Sequence, residues 1–571
     1  MRFPSVRVGG AERVPFAVLA VGGSPALVAL SARTPWWVGA SVVTVLLVTV
    51  TVRINGRTTV RWLLDWVEYR FGRSRRAAAL DTVAEVLDVH TPSGICGIRT
   101  SDSTLIAMVQ LAPDLDLPTV IADKTIYTED TVPVDALIPL LDHYGVAVDI
   151  DIVTTGQRVR PTGSYSMLYD QLIGTHAVVG DRLTWLVVRL DQQRNLGVLS
   201  RRGPCAVVAP KALAAAALRI AGRLRERGIQ AHALPAVALR DATRMLHAGV
   251  ELPDLRETWS RLESSAPGRC VTSFHIDWTK LDGAGLDDCW SWNSGRTTLV
   301  VSLTTDTGPR ALVRFIGPAV SPKDLPDYLR LISGRQASAL LASLPIDLSV
   351  DALPADETGS DVADVDQLWD LPIAIGPSGQ ILGAVSGQPR HTLALPLFDP
   401  ARYNPRRRSI DVRAQLSVAQ QILLRATVVG AEVEIHTSRP QRWRQLVSAV
   451  GDSSTLRLAN DGPGGENSSG AASSATIAVF DQVPAHASAA QTTVTISDPG
   501  VPRRRAADLA IDQVSATAVD VSIPMRRVRV DLIEPRGETR YLDAADAPAQ
   551  AGPPPGSDVA LLAPPGGRRV G

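Results

Sequence analysis

The densest grouping of chemistry-bearing side chains is His275, Asp277, Asp282, Asp287, Asp288 and Cys289. Carboxylates and imidazole ligate divalent cations, and paired carboxylates can divide acid and base roles, so a metal site or an acid–base pair can be drawn from these residues. Two features count against that use. The run SFHIDWTKL alternates Phe274, Ile276 and Trp278 like a strand with one buried face, which sets His275 and Asp277 together on the other face. The remaining aspartates belong to the Gly-containing turn LDGAGLDD, and turns collect aspartate to bond their own backbone. The cluster therefore reads as strand end and turn, and no catalytic, cofactor-binding or metal-ligating residue is assigned.

Other chemistries fail on motif. No G-x-x-x-x-G-K-[ST] surrounds any of the four lysines, Lys124, Lys211, Lys280 and Lys323, which argues against a P-loop NTPase. The run Gly462–Gly465 lacks the basic residue and following helix of a phosphate cradle. There is no H-E-x-x-H, G-x-S-x-G or C-x-x-C, and His143, His176, His247 and His391 are isolated, as structural histidines are. With 58 basic and 58 acidic residues the net charge is zero, so nothing draws the whole chain to nucleic acid. Arg406–Arg408 and Arg503–Arg505 read as solvated faces or partner contacts. Cys96, Cys205, Cys270 and Cys289 are widely spaced, as reduced cytoplasmic thiols are. All but four of the basic residues are arginine, a bias typical of GC-rich actinobacterial coding sequence.

The elements that must carry this chain begin with Val14–Val52, whose one charged residue is Arg33. Val14–Ala32 and Thr34–Val52 are each just long enough for a hydrocarbon core of about 30 Å, at about 1.5 Å per helical residue. They predict a two-span hairpin over 1–56 that turns at Arg33-Thr34-Pro35. Arg2, Arg7 and Arg13 precede it, and Arg53, Arg57, Arg61, Arg70, Arg73, Arg75 and Arg76 follow, which puts both flanks and the main body in the cytoplasm. Trp36 and Trp37 then mark the outer interface. A signal peptide is the rival reading, opposed by the immediate second span. Gly22-Gly23-Ser24-Pro25 gives the first span small residues for close helix approach and a kink.

Residues 57–79 predict an amphipathic juxtamembrane helix, with Val60, Leu63, Leu64, Val67 and Phe71 at helical spacing and Trp62, Trp66 and Tyr69 beside them. It lies on the inner membrane surface, docks on a neighbour, or simply continues the second span. From 80 to 370 strand-like runs (104–111, 146–153, 183–190, 271–276, 298–303, 311–316) alternate with helical ones (213–227, 325–343), which predicts a cytoplasmic mixed α/β domain. A C-terminal α/β region over 371–542 has strand-like 373–375, 380–384, 392–395, 432–436, 475–480, 492–496, 519–523 and 528–532. Its helices are 416–428 and 442–450, and its Gly/Ser-rich loop, 461–474, is flexible by composition. Residues 543–571, rich in Ala, Pro and Gly, predict a disordered tail. The fold class is thus a membrane-anchored α/β protein.

The hairpin, the basic aromatic stalk, and YDQLIGT (Tyr169–Thr175), DRLTWLVVRLD (Asp181–Asp191) and GRTTLVVSLTTDTGPRALVRFIG (Gly295–Gly317) together resemble the EccE family of the type VII (ESX) secretion system, over roughly residues 10–345. The resemblance implies a non-catalytic, multi-pass subunit of an oligomeric inner-membrane complex, partnered by EccB, the EccC ATPase and EccD, with no cofactor. It nominates no active site. The alternative drawn from the residues alone is a membrane-tethered glycosyltransferase-like enzyme holding a metal at Asp277, Asp282, Asp287 or Asp288.

Overall fold

The computed structural model describes residues 85–101, 103–122, 125–161, 163–281, 285–320, 325–353, 359–364, 372–459, 475–502 and 507–542, with short pieces before residue 71. The predicted spans, apart from helical Ser41 and Thr44 and extended Val52, lie outside the described residues, as do loop 461–474 and tail 543–571.

Among the early pieces, strands β1 (Val6–Val8) and β2 (Val52–Ile54) pair antiparallel, Val6 opposite Ile54 and Val8 opposite Val52. β2 turns back through β3 (Arg57–Thr58). Trp62, Asp65, Trp66, Val67, Tyr69 and Arg70 are helical. The stalk therefore does not continue the second apolar segment as one helix, because a strand hairpin intervenes.

The first large sheet is built from β4 (Val86–Thr91), β5 (Gly94–Thr100), β6 (Thr104–Leu111) and, after the detour of β7 (Thr119–Ile121) and β8 (Ile126–Tyr127), β9 (Asp149–Gln157). Helix α1 (Gly163–Ile173) leads to β10 (Asp181–Asp191), and α2 (Cys205–Glu226) to β11 (Ala231–Ala233). Then follow α3 (Ala236–His247), β12 (Arg256–Glu257), β13 (Leu262–Glu263), β14 (Cys270–Ile276), β15 (Arg296–Leu303), β16 (Arg310–Gly317), β17 (Leu329–Leu331) and α4 (Gln336–Ala342). The order is β12-β13-β14-β16-β15-β9-β10-β6-β5-β4, with β11 beside β6 and β17 beside β14, and every pairing is antiparallel. β10 shows why it is central. Its alternate residues Leu183, Trp185 and Val187 join a core with Leu239 of α3 and Leu340 of α4, while Leu186, Val188 and Leu190 join one with Leu213, Ile220 and Leu224 of α2. A strand covered on both faces loses the polar half of its alternation and reads as a continuous apolar run.

Among the described residues α2 alone is long and apolar enough to cross a membrane. Its Leu213, Ala217, Ile220 and Leu224 face is buried on the sheet. α3 approaches the other face so closely that a Cβ on Gly97 would lie 2.5 Å from the Ala236 nitrogen.

The second sheet combines β18 (Gln380–Val385), β19 (Gln388–Leu395), β20 (Arg408–Arg413), β21 (Val433–Thr437), β22 (Leu456–Leu458), β23 (Ile477–Asp481), β24 (Thr492–Ser497), β25 (Leu509–Ser515), β26 (Ala518–Ile523) and β27 (Arg526–Leu532). Its order is β22-β21-β23-β24-β20-β25-β26-β27-β18-β19-β7-β8, parallel from β22 to β25 and antiparallel beyond. Helices α5 (Leu416–Val428) and α6 (Arg444–Val450) belong to it. Segments from both sides of residue 371 build this sheet, since β7 pairs onto β19, β8 onto β7, and α1 packs against α5.

Two sequence expectations are corrected here. The helix over 325–343 is instead β17 followed by α4, because Gly334 turns the chain at φ 74° and gives its N–H to the Trp259 carbonyl. Residues 373–375 form only a bridge between Ala374 and Thr131, since their backbone bonds Val132 and Asp130 as the chain crosses between the sheets.

Candidate functional site

The polar cluster does not converge. β14 ends at Ile276, and Asp277, still extended, gives its N–H to the Tyr328 carbonyl and caps the 3-10 turn Trp278–Lys280. Asp277 is fully buried, and its Oδ1 accepts from the Thr279 N–H (3.2 Å) and hydroxyl (2.6 Å), while Arg330 pairs with its Oδ2 at 2.5 Å. Asp287 accepts from the Trp290 indole (3.1 Å), and Asp288 from the Trp292 indole (3.0 Å) and the Tyr328 hydroxyl (2.7 Å). Burial pushes the thiol of Cys289 well up, so the neutral form is held. Asp282 lies outside the described residues. Asp277 caps the 3-10 turn Trp278–Lys280, and Asp287 and Asp288 fasten the 3-10 helix Leu286–Trp292 to aromatic side chains. Among the described residues no three His, Cys, Asp or Glu side chains are placed to hold a metal ion.

In open parallel sheets ligands bind outside the carboxyl ends of the strands. Here the ends of β21 and β23 are bridged by the chain's own groups. Buried Asp481 accepts from Thr437 (2.8 Å), from the Trp443 indole (2.8 Å) and from Arg439 through two bonds of 2.9 and 2.8 Å. The isolated histidines are similarly placed in the fold. His176 meets the Ile173 carbonyl at 2.8 Å, and burial, reinforced by Arg314 and Arg99, pushes His247 down to about 4.

The arginine run 406–408 does not simply face solvent. Arg406 bonds Asp114 (3.1 Å) and Asp116 (2.6 Å), and buried Arg408 bonds Asp116 and the carbonyls of Leu115 and Pro396, each at 2.8 Å. These are ties within the chain, between the loop after β6 and the start of β20. Arg503–Arg505 lie outside the described residues.

Two built junctions remain. The first joins the stalk to the body. Trp259, just after β12, meets the rings of Trp62 (5.4 Å, 60°) and Tyr69 (5.5 Å, 83°) edge-on. Asp65, 2 % exposed, pairs with Arg335 at 3.1 Å, and the Tyr69 hydroxyl reaches the Glu257 carbonyl at 3.4 Å. Trp62, Asp65 and Tyr69 are three, then four residues apart, the spacing of one helix face. The second junction is the helix that carries YDQLIGT. Tyr169 is wholly buried, its hydroxyl accepts the Ile381 N–H (2.8 Å), and burial raises its pKa to about 12. One turn earlier, the Tyr165 hydroxyl donates to Glu538. Glu538 is paired with Arg425 at 2.8 Å and accepts from Gln421 at 2.8 Å, all three residues being buried. Arg425 also bonds the carbonyls of Ile381 (3.0 Å) and Leu382 (3.2 Å). Sequence reasoning found the stalk aromatics and the motif tyrosine. It missed Trp259, Arg335, Arg425 and Glu538, whose partners are distant in the chain.

Comparison with known proteins adds the context. A family model described as "Putative type VII ESX secretion system translocon, EccE" matches residues 178–276, the stretch from β10 through α2, α3 and Trp259 to β14. The ESX-1 secretion system protein EccE1 of Mycobacterium tuberculosis is 27 % identical over 323 residues, 55 % of this chain, and the chain spans only 64 % of that relative's length. The ESX-2 secretion system protein EccE2 of the same organism is 24 % identical over 469 residues, covering 78 % of this chain and 82 % of the relative, so that match reaches into the second sheet. The ESX-5 secretion system protein EccE5 of Mycobacterium marinum is 26 % identical over 351 residues, 55 % of this chain and 80 % of the relative. Over these stretches the chain is similar to EccE components of type VII secretion systems.

Proposed function

We propose that this chain is a non-catalytic, membrane-anchored structural subunit that supports assembly and stability of a type VII secretion inner-membrane complex. The observation that carries the reading is the EccE match over the centre of the first sheet. Supporting it, Asp277, Asp287 and Asp288 are spent on backbone and indole donors, which disfavours the metal-dependent glycosyltransferase alternative. In this reading 1–56 is the two-span hairpin, 57–79 the juxtamembrane helix, 80–370 and 371–542 the two cytoplasmic α/β regions and 543–571 a disordered tail. The pairing of β1 with β2 supports it, because an antiparallel pair across the apolar stretch requires the chain between to go out and return. Both flanks then lie on one side, where their arginines place them in the cytoplasm. The neighbours are the EccB, EccC and EccD components of the family's complex, and the Gly22-Gly23-Ser24-Pro25 kink is the contact of the first span with a partner helix.

The test is affinity purification of the full chain from mild detergent, followed by mass spectrometry. Wild type recovers the other membrane components in stoichiometric yield. Gly22→Leu with Gly23→Leu lowers that yield several-fold while the chain stays in the membrane. Recovery of no secretion component with wild type sinks the proposal, and an unchanged yield with the variant sinks the kink contact.

A further inference from the structure

The docked stalk helix leaves one side uncovered, and that side is not polar. Trp66 is 42 % and Val67 40 % exposed, with Arg70 exposed beside them, while Asp65 on the opposite side is 2 % exposed. At 3.6 residues per turn, Val67 stands two positions from both Asp65 and Tyr69 and so points away from the body that those two residues grip. Trp62, 38 % exposed, lies at the border between the two sides. Trp66 and Val67 with Arg70 give the helix an outward side of the apolar, aromatic and basic kind that suits a membrane interface.

The chain itself says which surface. Trp62 follows the end of the apolar stretch at Val52 by ten residues, a reach of at most about 35 Å even when extended. The β2–β3 turn, pairing Arg53 with Thr58 and Ile54 with Arg57, folds half of that reach back on itself. Residues 53–70 hold four arginines, Arg53, Arg57, Arg61 and Arg70, against Asp65 and Glu68, and Asp65 is paired with Arg335. Each arginine near an anionic leaflet contributes about 1 kcal/mol of attraction, and tryptophan prefers the headgroup layer.

We propose that the outward side of this helix, Trp66, Val67 and Arg70, lies in the headgroup layer of an anionic bilayer, and that the grip of Trp62, Asp65 and Tyr69 on Trp259 and Arg335 turns the β12–β14 end of the first sheet toward the membrane. The inference rests on the membrane-anchored reading. It adds the orientation of the body, which a flexible tether would leave free. The clamp is compatible with a defined tilt because it combines two edge-on ring contacts with one ion pair on three successive helix positions of one face.

The experiment uses the full chain with Val67→Cys carrying a nitroxide, in a Cys205→Ser background, since Cys96, Cys270 and Cys289 are buried. It is reconstituted in nanodiscs of phosphatidylglycerol and phosphatidylcholine, and electron paramagnetic resonance reads relaxation by oxygen, which partitions into lipid, against a water-soluble nickel chelate. Oxygen exceeding nickel at position 67 supports the proposal. Nickel exceeding oxygen overturns it, and exclusion of both reagents overturns it in favour of a protein neighbour. A second label at exposed Arg240→Cys reports the body. Trp259→Ala broadens the 67-to-240 distance distribution while leaving the oxygen response at 67 in place; an unchanged width overturns the clamp. Failure of the chain to stay with the nanodisc sinks the anchored reading itself, whereas retention with an aqueous signal at 67 sinks only the orientation.

Discussion

The two junctions of this molecule make opposite use of aromatic and charged residues. At the stalk, Trp259, Trp62 and Tyr69 meet edge-on near the surface, and the accompanying Asp65–Arg335 pair has its arginine about one-fifth exposed. Where α1 meets the second sheet, Arg425 and Glu538 are 1 % and 0 % exposed, with Tyr165 and Gln421 completing the carboxylate's bonds. A buried pair has surrendered its hydration and cannot part without leaving a naked charge, so it behaves as a permanent joint. A surface clamp gives up little water and can be released at modest cost. The contrast teaches that α1 is built into the core of the second sheet, while the stalk is a fitted attachment.

Breaking the permanent joint gives the largest effect. Glu538→Ala strands the Arg425 guanidinium and is expected to cost about 3–5 kcal/mol, read as a large fall in the urea midpoint of the purified full chain. Glu538→Leu combined with Arg425→Met removes both charges and restores most of that loss; a double variant as unstable as the single one contradicts the buried-pair account. The clamp should respond locally. Trp259→Ala forfeits two ring contacts of about 0.5–1.5 kcal/mol each, so hydrogen exchange at Trp62–Arg70 rises while the global midpoint shifts little. A global loss matching Glu538→Ala would erase the distinction between the junctions.

A further test is a pH dependence where Asp130 meets Gly376. Burial is the main cause that raises Asp130 to about 7, opposed by the N–H groups it accepts from Asp114 and Gly376. Between the ordinary carboxyl value of about 4 and about 7, the folded state therefore binds more protons than the unfolded one. Stability is highest at the acid end of that window, falls as pH rises through it and is level above it, as far as this group is concerned. Asp130→Asn removes that slope, and parallel melting curves for wild type and variant from pH 5 to 8 would contradict the assignment.

Much of the body was legible in the residues themselves. Thr104–Leu111 and Leu416–Val428 have the bounds that their patterns predict, because an uninterrupted apolar strand and a helix without glycine or proline leave little choice of local structure. Strands β4 and β5 were not read, since their outward Leu87, Asp88, His90 and Ile95 blur the alternation at a sheet edge. Helix α1 escaped because its YDQLIGT segment was read as a motif and not as an element. The carboxylates of the cluster that are described stand at and within 3-10 segments, and the partners that occupy them, Arg330 and Tyr328, come from a later segment.

The sequence by itself determined the two apolar segments, the basic flanks, the mixed α/β character and the EccE likeness, all properties of neighbouring residues or fixed spacing. Only the tertiary structure decided that segments before and after residue 371 share one sheet, that Glu538 neutralises Arg425 across 113 residues, and that Trp259 receives the stalk. Those outcomes depend on which distant surfaces can bury each other's charge and rings together, a condition that pattern along the chain does not encode.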